Sequence, residues 1–243
     1  MRFGVIADIH GNLDALMAVL ADMGTVDRVL CLGDLVGYGP EPNECCARIR
    51  QLPGLVCVVG NHDLAAIGRV ETESFNPWAR AAIEWTARTL APEHATFLAG
   101  LPLTAQVNGI TLVHGLLPEP MDYLLSAADA GRMFDAMTTP VGLVGHTHLA
   151  EYFLREPNGT ECRHIPLWEG GEVMFREGCR YIVNCGGVGQ PRDGNPKASY
   201  GVVDSDLGGI FVRRVGYPIE RVQAKMLAAA LPEPLARRLS VGR

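Results

Sequence analysis

The chain has 243 residues, a net charge of −6 and 48% hydrophobic residues, enough for one large α/β domain or two small ones with a substantial core. The acidic balance, with a pI of about 5.6, argues against a large basic groove for nucleic acid. No apolar run approaches the ~18 residues of a membrane span, and the N-terminus enters a strand directly, so no signal peptide is read.

Arg2 to Ala7 reads as the first strand. A helix over Asn12 to Met23 follows, with Leu13, Leu16, Met17 and Leu20 at helical spacing and Gly24 as its stop. Arg28 to Leu32 is a second strand, a helix lies near Glu44 to Gln51, and Leu55 to Val59 is a third strand. This β-α-β-α-β opening is the signature of a parallel sheet covered by helices. Asn76 suits an N-cap and Pro77 a first helical position, so a helix runs to about Leu90, and Pro92 starts a shorter one. Trp78, Ala82 and Trp85 share a face of it, which favours helix core. The sharper alternative is a helical cap within 64–100, with an aromatic ring over a site.

The texture then changes. Three hairpins are expected: Thr104–Val107 with Ile110–His114 around Asn108-Gly109, Glu151–Arg155 with Glu161–Ile165, and Tyr200–Asp204 with Ile210–Val215. The second half therefore reads as largely antiparallel. Helices over about Ile219–Ala230 and Pro232–Leu239 close the chain. Two sheets packed together with helices outside would reconcile the halves. With no repeat and no low-complexity linker, residues 1–243 read as one domain. Seven cysteines, odd in number and without CxxC spacing, suit free thiols in a reducing cytoplasm.

The chemistry gathers at strand ends. Gly60-Asn61-His62-Asp63 follows a short β-branched run, and its glycine lets the backbone turn sharply. Alone it is an ordinary polar turn. Four more strand-like runs end alike: in Asp8-Ile9-His10, Gly33-Asp34, His114-Gly115 and Gly145-His146-Thr147-His148. Five of the seven histidines lie there; His94 and His164 do not and read as plain surface or core residues. Sites in open α/β sheets form at carboxyl ends of strands. The pattern describes a metal site built from several strands. In an extended segment i and i+2 point to one side, so Asp8 with His10, and His146 with His148, can each offer two ligands. Carboxylate, imidazole and amide donors without thiolate suit Mn, Fe, Zn or Co.

These five ordered blocks resemble the calcineurin-like metallophosphoesterase superfamily, and within it a bacterial subgroup of small phosphodiesterases. The resemblance implies an α/β fold, a four-layer α-β-β-α sandwich of two mixed sheets packed face to face. It implies two divalent metal ions, manganese or iron being favoured. Asp8, His10 and His148 would hold one, Asn61, His114 and His146 the second, and Asp34 would bridge. Two metals about 3.5–4 Å apart can bind a phosphoryl oxygen and activate water for in-line attack on phosphorus. His62 would be the general acid at the leaving oxygen. Asp63 would orient the His62 ring by a hydrogen bond.

Two loops are candidate substrate contacts. Cys185-Gly186-Gly187-Val188-Gly189-Gln190-Pro191-Arg192 resembles the subgroup's loop after the last metal block, although Pro and Ser are commoner there than Cys185 and Gly187. Arg192 can clamp phosphate, and Tyr38, just after Asp34, can line the entrance. The expected activity is hydrolysis of a phosphodiester or phosphoanhydride bond in a small phosphorylated substrate, a nucleotide among the candidates. The alternatives are a phosphomonoester (including protein) phosphatase, and a non-catalytic scaffold of the same fold. The intact His62 and metal positions disfavour the scaffold.

Overall fold

The parallel opening forms as its alternation dictates. The computed structural model describes residues 1–73 and 75–243. β1 (Arg2–Ile6), α1 (Leu13–Met23), β2 (Arg28–Cys31), α2 (Pro42–Arg50) and β3 (Val56–Cys57) follow in order, with β2 parallel to both β1 and β3. Val5 and Leu30 turn inward, towards the second sheet, while Ile6, Val29 and Cys31 pack outward against α1 and α2. The Asn12 side chain caps α1 by accepting the Ala15 N–H at 3.1 Å.

α3 (Asn61–Ala66), α4 (Pro77–Thr89) and α5 (Pro92–Ala99) come next. Asn76 caps α4 as its sequence suggests, accepting from the Trp78 and Ala79 amides at 3.1 and 3.0 Å. Trp78 departs from expectation. It is 53% exposed, whereas Ala82 is fully buried and Trp85 is partly buried. Within the proposed cap segment 64–100, Ser74 lies outside the described residues.

β4 (Thr104–Val107) and β5 (Ile110–Val113) form the expected hairpin, with Asn108 and Gly109 both at positive φ. α6 (Ala127–Ala136), β6 (Val141–Val144), β7 (Ala150–Arg155), β8 (Cys162–Pro166), β9 (Gly171–Met174) and β10 (Arg180–Cys185) follow. β11 (Ala198–Asp204), β12 (Gly209–Val215), α7 (Ile219–Ala228), α8 (Glu233–Arg237) and a short 3₁₀ turn at Arg238–Ser240 complete the chain.

Two six-stranded mixed sheets result, in the orders β3-β2-β1-β11-β12-β9 and β4-β5-β6-β10-β7-β8. They pack face to face with helices outside. The second half is less antiparallel than its hairpins suggest, because β5, β6 and β10 run parallel at the centre of the second sheet. These strands are buried on both faces, as parallel strands require. Their outward residues Val113, Val144 and Ile182 pack with Met133 and Phe134 of α6, the crossover helix.

A further apolar cluster joins α4, α7 and α8 around Tyr38, through Ala79, Ala82, Val222, Met226 and Leu235. Lys225 of α7 binds Asp14 of α1 at 2.9 Å and Glu41 at 2.8 Å. Among the described residues no helix is long and apolar enough to cross a membrane. Leu235 is fully buried in the helical cluster. We expect Leu235→Ala to cost about 2–5 kcal/mol of unfolding free energy, read from the midpoint of a urea melt.

Candidate metal centre

The carboxyl ends of β1, β2, β5 and β6 and the start of α3 meet at one pole of the sandwich. One ligand atom each from Asp8, His10, Asp34 and His148 lie within 4.8 Å of one another, as do those of Asp34, His114 and His146. All six side chains are buried. Asp34 belongs to both groups. Its Oδ2 lies 3.6 Å from His10 Nε2 and 3.3 Å from His114 Nε2, and makes no hydrogen bond. Asn61 Oδ1 lies 3.2 Å from His114 Nε2, on the second group's side.

The local backbone differs from the extended segments expected. Asp8, His10, Asp34, Tyr38, His146 and His148 all have φ between 49° and 67°, in the left-handed region. Such residues cost about 1–3 kcal/mol each and persist only where the surroundings hold them. Here they do: Asp8 N–H donates to Gly33 O at 3.0 Å and His10 N–H to Asp34 O at 2.9 Å. The paired ligands thus converge through alternate left-handed residues, not through strand alternation.

Gly60 also has a different reason from the one expected. Its φ is an ordinary −103°. A Cβ there would sit 2.1 Å from Asp34 Oδ1, so the glycine permits the close approach of α3 to that carboxylate. The His62 amide then donates to the same Oδ1 at 2.9 Å.

The ring tautomers test whether this cluster suits metal ions. Nδ1 of His10, His114 and His148 faces a backbone carbonyl, of Val36 at 3.0 Å, Leu32 at 2.7 Å and Gln190 at 2.6 Å. A carbonyl only accepts, so each Nδ1 carries a proton and, in the neutral ring, each Nε2 presents a lone pair. The Nε2 atoms of His10 and His148 are 3.1 Å apart. Two lone pairs at that distance repel unless a cation lies between them. Burial holds His10 and His148 well below the usual imidazole range, and with the His114 charge takes His146 down to about 3. These rings are neutral donors at pH 7. The donor set fits cations.

The carboxylates divide. Burial acts to raise Asp34, but His114, His62 and His10 hold it well below the carboxylate range. Burial and the Asp34 charge push Asp8 and Asp63 up to about 7. For His114 burial acts downward, yet the Asp34 carboxylate prevails and raises it to about 10. Without a cation, Asp34 therefore keeps a second proton on His114.

Asp63 does not reach the His62 ring. Its Oδ1 accepts the Leu35 and Val36 amides at 2.8 and 3.1 Å, and its Oδ2 accepts the Gly60 amide at 3.1 Å. The carboxylate turns towards the orphan amides of the Asp34 loop, which leaves His62 Nδ1 buried without a partner. The His62 ring is instead framed by Tyr38, His10 and Phe75, with centroids 4.5, 4.7 and 5.1 Å away. Burial lowers His62 to about 4.

Arg192 and Tyr38 are both at this pole: Arg192 Nη2 lies 3.4 Å from the Tyr38 hydroxyl and 3.1 Å from Gln190 Oε1. The glycine loop is stitched beneath the cluster, with Val188 N–H on Ala7 O and Gly189 N–H on Asp8 O, both 2.9 Å. His94 is buried, and His164 pairs with Glu151 at 2.7 Å, both apart from the cluster.

Three contributors were not foreseen. Tyr123 stacks on His146 with centroids 3.7 Å apart and planes at 17°. Asn12 Nδ2 donates to Gly189 O at 2.9 Å. Asn184 Nδ2 donates to Gly145 O at 2.7 Å and Thr147 Oγ1 at 2.9 Å, bracing the His146 turn. Asn184 carried a signal, a polar residue ending the apolar run Tyr181-Ile182-Val183; Tyr123 carried none.

A family model described as the calcineurin-like phosphoesterase superfamily domain matches residues 1–208. The chain belongs to that superfamily. The crystal structure of a metallophosphoesterase from Sphaerobacter thermophilus is 42% identical, with a TM-score of 0.88, over 100% of this chain and 99% of that one. An uncharacterized protein of Methanocaldococcus jannaschii is 37% identical over 98% of this chain and 97% of its own length. A symmetrical bis(5'-nucleosyl)-tetraphosphatase of Yersinia pestis is 42% identical over 64 residues, 25% of this chain and 22% of that protein. Calcineurin-like phosphoesterases are metal-dependent hydrolases, and the Asp and His cluster is the part of this chain suited to that chemistry.

An ion taken up at His114 Nε2 would displace the proton that the Asp34 carboxylate holds there. Since that proton is held up to about pH 10, metal binding strengthens as pH rises towards 10 and weakens as it falls. At pH 8 we expect about one proton released or more per chain loaded with Mn²⁺, measured by titration calorimetry in two buffers of different ionisation enthalpy.

Proposed function

We propose that this chain is a dinuclear metal-dependent phosphoesterase that cleaves a phosphodiester or phosphoanhydride bond in a small phosphorylated substrate. The observation that carries the reading is the pair of donor groups sharing the unpartnered Asp34 Oδ2. Asp8, His10 and His148 would hold one ion, and Asn61, His114 and His146 the other, with Asp34 between. Manganese or iron suits these nitrogen and oxygen donors. When bound, two such ions supply Lewis acidity and bring the pKa of water from 15.7 towards about 7.

The protein's own residues do the rest. The carbonyls of Val36, Leu32 and Gln190 fix the imidazole tautomers before any ion arrives. His62 is the proton donor to the leaving oxygen. At about 4 it is neutral in the free protein, so the negative charge of a bound substrate is what would raise it into its acid form. Arg192 and Tyr38 bind the phosphoryl group, the guanidinium by charge-assisted hydrogen bonds. Asp63 is a positioning residue for the Asp34 loop. The 243 residues work as one domain, with α4 part of a helical cap. The preference for a diester or anhydride over a monoester leans on the printed name of the tetraphosphatase relative, a nucleotide-cleaving protein.

His62 and Asp63 should fail differently. We expect His62→Ala to slow poor leaving groups far more than p-nitrophenolate, with metal content unchanged. Asp63→Asn should instead weaken metal binding, roughly 10–100-fold, with the leaving-group dependence kept. A Brønsted series alongside elemental analysis separates the two.

Removal of metal tests the whole reading. The chelated protein should be inactive, and Mn²⁺ should restore turnover of bis-p-nitrophenyl phosphate above that of p-nitrophenyl phosphate, with two ions per chain. A preference for the monoester would make it a phosphatase. Inactivity on both with both ions present would overturn the hydrolytic reading.

A further inference from the structure

We propose that the cleft between the start of α4 and the C-terminal helices is a subsite for the leaving half of a nucleotide substrate, with Trp78 stacking its base and Arg238 holding its phosphate. The inference rests on the phosphoesterase reading above, in which His62 faces the leaving oxygen.

The cleft has a volume of about 670 Å³ and is lined by Asn76, Pro77, Trp78, Pro234, Arg238 and Arg243. It adjoins the metal centre from two directions. Phe75, one residue before its rim, sets its ring edge-on to His62 with centroids 5.1 Å apart. Leu239, one residue after Arg238, lines a small cavity with His10 and Tyr38. The cleft therefore lies on the His62 side of the cluster, where a leaving group departs.

The residues that line it include two arginines and no acidic side chain. Among the described residues, the side chains of Arg192, Arg238 and Arg243 pair with no Asp or Glu side chain. Arg238 gives its Nε to the main-chain oxygen of Arg243, the last residue, and among the described residues its two Nη groups make no hydrogen bond. Arg192 gives one Nη to Tyr38 and Gln190, and its Nε is buried without a partner. Burial and the nearby Arg192 charge both act against the Arg238 cation. In a chain of net charge −6, a cleft lined by two guanidinium groups and no acidic side chain suits an anion.

Trp78 supplies the second half of the recognition. Its ring is 53% exposed, although it lies on the face of α4 that Ala82 and Trp85 bury. An exposed indole lining the same cleft as Pro77 and Pro234 offers a flat face to a planar ring. Phosphate plus planar ring is the chemistry of a nucleotide. Hydrolysis would then consume one water. Its oxygen bonds to the attacked phosphorus, and the bridging P–O bond breaks with its electron pair leaving on the nucleoside phosphate. That oxygen takes a proton from His62, and the attacking water's proton passes to solvent.

Binding of ADP, adenosine and inorganic phosphate to the Mn²⁺-loaded protein tests this, by calorimetry and by tryptophan fluorescence. We expect ADP to bind and to quench fluorescence. Arg238→Gln should weaken ADP about tenfold or more and adenosine by less than about twofold. Trp78→Ala should weaken both roughly tenfold, and Trp78→Phe should recover most of the affinity but not the quench. No ADP binding, or ADP affinity within about twofold of the parent in both Arg238→Gln and Trp78→Ala, overturns the subsite. Turnover of bis-p-nitrophenyl phosphate by the same preparation judges the underlying reading separately. Turnover without ADP binding refutes the subsite alone, and ADP binding that needs Arg238 and Trp78 without turnover refutes the hydrolytic reading alone.

Discussion

The Asp34 carboxylate, 1% exposed and shared by two groups of donors, is the constraint the rest of the molecule serves. A buried carboxylate without compensation is costly, and here Asp8 and Asp63 lie near enough to repel it. The protein does not neutralise this charge with an arginine ion pair. It surrounds it with imidazoles whose outer nitrogens are committed to backbone carbonyls. Their inner nitrogens face the carboxylate and one another, an arrangement that a proton on His114 only partly relieves. A cation among these donors would relieve it, and the burial that makes the arrangement costly without one would strengthen its hold.

Holding such an arrangement requires both sheets. Asp8 and Asp34 follow β1 and β2 of the first sheet, while His114, His146 and His148 follow β5 and β6 of the second. Because β1, β2, β5, β6 and β10 are the parallel strands at the sheet centres, their carboxyl ends all reach the same pole. The loops then lock across the gap: His146 N–H donates to the Asp8 carboxylate at 3.1 Å, and His114 Nδ1 bonds to Leu32 O at 2.7 Å. Left-handed residues at six site positions are tolerated because these cross-bonds over-determine them.

The residues gathered at this pole were legible in the sequence because strand ends are sharply punctuated: an apolar run stops and a ligand type begins. The layers of the fold were legible for the same reason. What failed to show was anything set by the far side of a contact. Asp63 looks like a partner for the adjacent His62 ring, but three backbone amides lie closer, and an N-terminal carboxylate on a helix prefers such donors. Trp78 reads as core from its spacing, yet the C-terminal helices cover Ala82 and stop short of the first turn. Helix α6, marked by Ser126 as its cap and by Met133 and Phe134, sits among enough alanine and glycine to dilute its periodicity. Tyr123 reaches His146 from a stretch with no regular element on either side.

The limits of the family match divide the molecule in an informative way. Residues 1–208 contain every metal donor, His62, Arg192 and Tyr38. Residues beyond them add β12, α7, α8 and the final 3₁₀ turn. That addition is not peripheral. Val222, Met226 and Leu235 enclose Tyr38, Lys225 ties α7 to Asp14 and Glu41, and Gly194 N–H in the loop of Arg192 binds Gly242 O at 2.9 Å. The C-terminal segment thus braces the two side chains that flank the metal centre without contributing a ligand to it. The family's sandwich thus carries the Asp and His cluster, and helices laid over its edge set the surface beside it. The ring of Tyr38, touching His10 and His62 on one side and the C-terminal helices on the other, is where those two layers are mechanically joined.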